Sequence, residues 1–281
     1  MNFKHKYINR IRSRWFKLPF IWKLKFDFII HKKKSKHNLP APLIVSLTSY
    51  PARFKTLPKT LKCLLNQSLI SDKVVLWIAF DDEKYLTKEI KKISNLEIRF
   101  CENLNSYKKI IPALQEFKDS FLVTADDDIY YRYNWLEELI SNYNGNAKEI
   151  ICFRAHQIVL NKNNLPKPYL QWHHPKTETE ASQLIFPTNG AGTLFPPGVF
   201  FSEVTNQNLF LKLCPTSDDI WIWWMLRLNG CTFKKVGKGN RIYNSSKYNQ
   251  IGLWHINLNQ GQNDVQMQKM INYFGTEGVF I

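Results

Sequence analysis

From residue 43 onward, short apolar runs alternate with stripes of apolar residues at helical spacing. Residues 43–47 form a β-rich apolar run that reads as a buried strand, and 73–79, 96–101 and 121–125 share its character. Between the first two runs Leu57, Leu61, Leu64 and Leu65 recur with helical periodicity, which predicts a helix over 57–67 with Pro58 accommodated in its first turn. Helices are also predicted over 83–93 and 108–117. Such a succession implies an α/β fold with a mostly parallel sheet flanked by helices. Further along, the pattern predicts a helix over 134–142, a strand over 150–153, a helix over 218–228 and a closing strand over 232–236. The stretch 161–204 is rich in Pro, Asn, Gly and aromatic residues and gives no periodic signal, and no internal repeat is visible.

Ahead of this region, Asn38-Leu39-Pro40-Ala41-Pro42 reads as a stiff linker. It suggests a basic aromatic N-terminal extension over 1–39 and one catalytic domain over 40–281, a length that suits a single α/β domain. The net charge of +16 is concentrated at the start: residues 1–37 hold twelve Lys or Arg against one acid, Asp27. Over 15–30 the basic residues are interleaved with apolar ones such as Trp15, Phe16, Trp22 and Phe26, a mixture that suits the surface of an anionic membrane. Pro19 interrupts a continuous helix there. A helix packed on the catalytic domain with a solvated basic face explains the same pattern. No nucleic-acid motif accompanies the charge, so no nucleic-acid partner is expected.

Hydrophobic residues make up 44% of the chain and charged residues 22%, which excludes global disorder. Cys63, Cys101, Cys152, Cys214 and Cys231 are scattered and never form a CxxC pair, which points away from a zinc site or a disulfide framework. No apolar run approaches the ~20 residues that span a bilayer, and charges interrupt any signal-peptide pattern. The expected location is the cytoplasm, with the extension able to hold the protein at the inner face of the cell membrane.

The run 121–125 ends directly in Asp126, Asp127 and Asp128. Ligands of open parallel sheets bind beyond the carboxyl ends of the strands, and alternation lets Asp126 and Asp128 point the same way. Two convergent carboxylates suit Mn²⁺ or Mg²⁺ bridging a diphosphate. A solvated acidic turn or a helix N-cap is the plainer alternative, but three clustered acids repel one another without a cation.

In this order, the segments VSLTSYPARF, SYKKIIPALQEF, VTADDDIYY and TSDDIWIWW resemble the GT-A glycosyltransferases, particularly the family 2-like enzymes of bacterial surface-polysaccharide synthesis, over residues 43 to about 265. The resemblance implies a GT-A-like, Rossmann-like fold and an inverting transfer from a nucleoside-diphosphate sugar donor to a glycan or lipid-linked acceptor. It places the donor nucleotide at Thr48, Ser49, Tyr50 and Arg53, with Asp127 and Lys109 nearby, and the metal at Asp126 and Asp128. Tyr can stack on a base and Arg can meet phosphate in bidentate fashion; a turn and a surface charge are the alternative. Lys108 and Lys109 stand at the start of the predicted helix over 108–117, where a lysine opposes the dipole unless an anion sits there too, so one of them is expected to face the nucleotide or its diphosphate; two solvated lysines are the alternative.

The resemblance further implies that Asp219 is the base that deprotonates the acceptor hydroxyl, with Asp218 beside it, although the family's commoner pair is Glu-Asp. Thr216-Ser217 before these acids is also an ordinary capping pattern. Trp221 is placed on the acceptor side, although a stripe of Trp221, Trp223 and Trp224 more often packs in a core. Gly190 and Gly192 resemble the acceptor-side loop by position, where glycine allows close backbone approach; an aperiodic turn is the alternative. The surrounding stretch lacks the setting of a dinucleotide fingerprint and has no P-loop lysine. His255 is implied as a further metal ligand. Two rival readings remain at this stage. A nucleotidyl- or phosphotransferase could use the same acids, and a non-catalytic membrane- or nucleic-acid-binding protein could rest on the basic extension.

Overall fold

The computed structural model describes residues 34–237, 243–244, 257 and 260–280. Nearly all of the basic extension, through residue 33, and His255 lie outside the described residues. The domain is built on a seven-stranded sheet of β1 (Leu43–Thr48), β2 (Lys73–Ala79), β3 (Glu97–Cys101), β4 (Phe121–Ala125), β5 (Glu149–Cys152), β6 (Thr193–Phe195) and β7 (Thr232–Lys235), in the spatial order β7-β5-β6-β4-β1-β2-β3. β1 pairs in parallel with β2 and β4, β2 with β3, and β5 with β7, while β6 runs antiparallel to β4 and β5. The mostly parallel sheet flanked by helices is the fold class that the periodicity predicts.

Alternation along β1 explains why its apolar run is continuous. Leu43, Val45 and Leu47 pack toward α1 (Leu57–Leu65) and α4 (Trp135–Ser141), while Ile44 joins the opposite core with α3 (Ile111–Glu116), α5 (Gln207–Leu213), α6 (Asp218–Leu228) and α7 (Gln262–Phe274). Beyond its first turn α6 is apolar nearly all round, as a helix enclosed by protein should be, and Trp221, Trp223 and Trp224 are all fully buried.

Several boundaries differ from the sequence expectation. The helix expected over 83–93 is a 3₁₀ turn, Phe80–Tyr85, and a four-residue helix α2 (Lys88–Lys91), because Leu86 is extended and Thr87 starts a new helix by accepting the Ile90 N–H at 3.3 Å. The helix expected over 108–117 is a 3₁₀ turn, Asn105–Lys109, followed by α3; Pro112 lacks an N–H and fits only in a first turn. The largest departure is β6, which lies mid-sheet although its region shows no periodicity. It is three residues long between Gly192 and Pro196, so its pairing with β4 and β5 is set by tertiary contact rather than local pattern.

β1 is the point at which the strand order reverses. The connection from β1 leads to β2 on one side, while β4 lies on the other, and the register Leu47↔Ala125 brings their carboxyl ends level. Thr48-Ser49 and Asp126-Asp127 therefore leave the sheet side by side, where open α/β sheets place their ligands. Among the described residues, no helix is long and apolar enough to cross a membrane.

Candidate active site

A cavity of about 720 Å³ opens beyond these strand ends. It is lined by Thr48, Ser49, Tyr50 and Arg53 from β1 and the turn after it, by Asp126, Asp127 and Asp128 from β4, and by Asp218 and Asp219 from α6. Residues more than ninety positions apart in sequence thus share one wall system, as the motif order implies.

The three acids after β4 have different surroundings. Asp127 is buried and turned toward the β1 loop, where Ser49 Oγ donates to its Oδ2 at 2.6 Å and Arg53 donates to its Oδ1. Burial outweighs these partners and raises its carboxyl above the usual range. Arg53 also lies 3.3 Å from Asp128 Oδ2, with its guanidinium 5.3 Å from the Tyr50 ring centroid. Burial opposes the charge of Arg53, but Asp127 and Asp128 outweigh it and hold the side chain firmly protonated. Asp128 is pushed up to about 6 by burial and by Asp126.

Asp126 faces the other way. Lys109 Nζ donates to its Oδ1 at 3.1 Å and Arg154 approaches its Oδ2 at 3.9 Å. Burial disfavours the charged form, yet these cations keep Asp126 below the usual carboxylate range. The same Lys109 Nζ lies 3.1 Å from Asp218 Oδ2, so one buried ammonium joins the acids after β4 to those opening α6. The Asp218 contact is close in distance but misaligned for a hydrogen bond, and that buried oxygen keeps its capacity for another partner. Lys109 is itself fixed from behind, because its carbonyl accepts from Ser46 Oγ at 2.6 Å and Ser46 in turn accepts from Trp77 Nε1 at 3.0 Å. Lys108 and Lys109 are both buried, so neither is a solvated surface charge; Lys108 donates to Asn103 Oδ1 at 3.2 Å.

Asp219 Oδ1 accepts the Asn189 N–H at 2.9 Å, and burial together with Asp218 raises its carboxyl to about 7. A carboxylate poised there accepts a proton near neutral pH. The α6 start is braced by α7, where Gln266 Oε1 accepts the backbone N–H groups of Thr216 and Ser217 at 3.0 and 3.1 Å.

Gly190, Gly192 and Trp221 do not reach the cavity. Trp221 is fully buried, with Nε1 donating to Val204 O at 2.9 Å. The two glycines make room for side chains: a Cβ on Gly190 would fall 1.6 Å from Asp126 Oδ2, and one on Gly192, whose φ is +116°, would fall 2.7 Å from Trp135 Nε1. Conversely, Arg154, His156 and Tyr169 line the cavity and are not singled out by the sequence motifs. A signal for the first two exists, since they follow β5 just as the acids follow β4.

The sequence matches the family described as "Glycosyl transferase family 2" over residues 46–196. The chain belongs to this family. The matched span runs from β1 to the end of β6 and carries Ser49, Arg53, Lys109 and the acids at 126–128, whereas Asp218 and Asp219 lie beyond it. The fold is similar to the crystal structure of 4-diphosphocytidyl-2C-methyl-D-erythritol synthase, with a TM-score of 0.48 and 10% identity over 75% of this chain and 95% of that one. No curated protein matches the sequence.

Proposed function

We propose that this family 2 chain transfers a glycosyl group from a nucleoside-diphosphate sugar to an acceptor hydroxyl, with inversion at the anomeric carbon. The observation that carries the reading is the charge relay across one cavity: Arg53 with Asp127 and Asp128, then Asp126, Lys109 and Asp218, ending at Asp219. Thr48, Ser49, Tyr50 and Arg53 form the donor nucleotide wall. Asp219 takes the proton as the acceptor oxygen bonds to the anomeric carbon and the bond from that carbon to the diphosphate breaks. Lys109 acts as a positioning residue that fixes Asp126 and Asp218 relative to each other.

The donor set suits a hard divalent cation, Mn²⁺ or Mg²⁺. Asp126 and Asp128 offer carboxylate oxygens to the cavity from one turn, and such cations commonly take one or two protein carboxylates, with phosphate and water completing the shell. Among the described residues, no three His, Cys, Asp or Glu are grouped as ligands, and His255, the further ligand that the resemblance implies, lies outside them. The cation's chemical contribution is to neutralise charge gathering on the departing diphosphate.

The basic residues of segment 1–39 support contact with an anionic membrane surface and hence an acceptor carried there, as in bacterial surface-polysaccharide synthesis. Deleting residues 1–38 should abolish sedimentation with anionic vesicles; unchanged sedimentation rules this part out. The donor reading is tested by calorimetric titration of nucleoside diphosphates with and without Mn²⁺. Metal-dependent binding that is lost in Asp128→Asn is expected, and binding indifferent to both contradicts the donor site.

A further inference from the structure

We infer that His156 and Tyr169 form a subsite for a neutral pyranose ring of the acceptor, with His156 selecting its hydroxyl arrangement. This rests on the transferase reading above and names the class of group that the acceptor side takes.

The wall is pre-formed. The strands Ala155–Gln157 and Ile185–Pro187 pair antiparallel with His156 opposite Phe186, and Asp264 Oδ1 accepts the Tyr169 N–H at 2.7 Å, tying the wall to the start of α7. The His156 ring lies 5.0 Å from that of Tyr169 and 4.4 Å from that of His174. His156 and Tyr169 both line the cavity, and His156 holds unused hydrogen-bonding capacity. Its Nδ1 is buried without a hydrogen-bond partner. Buried polar atoms are rarely left unpaired, and those on a cavity wall are satisfied most directly by a ligand.

The charge state narrows the ligand's chemistry. Burial, His174 and Arg154 push the His156 imidazole down to about 4, so it is neutral at physiological pH, with one nitrogen to donate and one to accept. That pairing suits a hydroxyl, which also donates and accepts. It gives no advantage to a phosphate or carboxylate, for which the cavity lining offers the cations Arg53, Lys108, Lys109 and Arg154 instead. An aromatic ring beside such a polar group is a platform for the apolar face of a sugar. The wall also adjoins the base: the Ile185–Pro187 strand runs directly into Thr188 and Asn189, and the Asn189 N–H is the group that Asp219 accepts. A ring on Tyr169 and His156 would therefore lie next to the carboxylate that deprotonates it.

The test uses the full chain with Mg²⁺ and a saturating nucleoside diphosphate, titrated with methyl glucopyranoside, methyl galactopyranoside and methyl mannopyranoside and read by saturation-transfer NMR. The proposal predicts saturable binding that differs between the epimers, weakened about tenfold or more by His156→Phe and partly recovered by His156→Gln. Tyr169→Phe, which removes only a hydroxyl, should weaken the same glycoside severalfold. Melting curves establish that each variant is folded, and the smaller Gln and Tyr169→Phe changes carry the test should the phenylalanine at 156 unfold the chain. If the natural chain binds nucleotide but no glycoside, or if folded variants bind the glycoside as tightly as it does, this subsite is wrong while the donor reading stands. Failure of every nucleoside diphosphate to bind overturns the transferase reading, and this inference with it.

Discussion

Gly190 packs against Asp126 so closely that a Cβ at position 190 would lie 1.6 Å from Oδ2 of the carboxylate. Asp126 has little room to yield, because its N–H donates to Gly190 O at 3.0 Å and to the Tyr131 hydroxyl at 2.7 Å, while Lys109 holds its Oδ1. The Gly190→Ala variant should therefore swing the Asp126 carboxylate away from the cavity. Calorimetry is expected to show Mn²⁺-dependent nucleotide affinity lowered by about tenfold or more, together with a lower melting midpoint. Unchanged affinity would mean that the position of Asp126 does not matter to the donor.

A pH profile follows from Asp219. A base acts deprotonated, so with its carboxyl raised to about 7, kcat/KM should rise as pH climbs through about 7 and level off above it. Asp219→Asn should lack that limb and lose about 10² to 10⁴ in rate, the usual span for removing a general base.

The same shift makes a stability prediction of opposite sense. The folded carboxyl at about 7 keeps a proton that an unfolded Asp, near 3.9, has already released, so this group lowers stability as pH rises between those values. Urea unfolding of the natural chain should lose stability relative to Asp219→Asn across that window, with a constant difference above it. Parallel curves from pH 4 to 8 would remove the case for a perturbed Asp219.

Lys109 is buried between two carboxylates, so replacing it leaves charges without compensation. Lys109→Met is expected to cost roughly 3 to 5 kcal/mol at pH 8, the range seen when one partner of a buried ion pair is removed. Urea unfolding at pH 5 should show a smaller deficit, because protonation relieves the stranded acids.

Much of the fold is legible in the sequence wherever the signal is local. The β1 run and the Leu57, Leu61, Leu64, Leu65 spacing each carry their own periodicity, and the acids at 126–128 stand out because they end an apolar strand. Strand β6 is not legible, since its three residues gain their conformation from β4 and β5. Gly190 is conspicuous as a residue, but its purpose depends on a carboxylate sixty-four positions earlier, which no linear pattern reveals. Trp221 shows the converse: an aromatic close to Asp218 and Asp219 in sequence is drawn into the core by the all-round apolar character of α6. Arg154 and His156 follow β5 as the acids follow β4, but that they share one cavity depends on strand order, with β6 lying between β4 and β5.

The central claim is tested most directly by release of nucleoside diphosphate from a panel of sugar nucleotides with Mn²⁺, comparing the natural chain, Asp128→Asn and the natural chain with EDTA. The account predicts slow turnover of one donor, with the intact nucleoside diphosphate as product and no turnover in the variant or with chelator. Release of pyrophosphate instead, or turnover that persists in both controls, would contradict it.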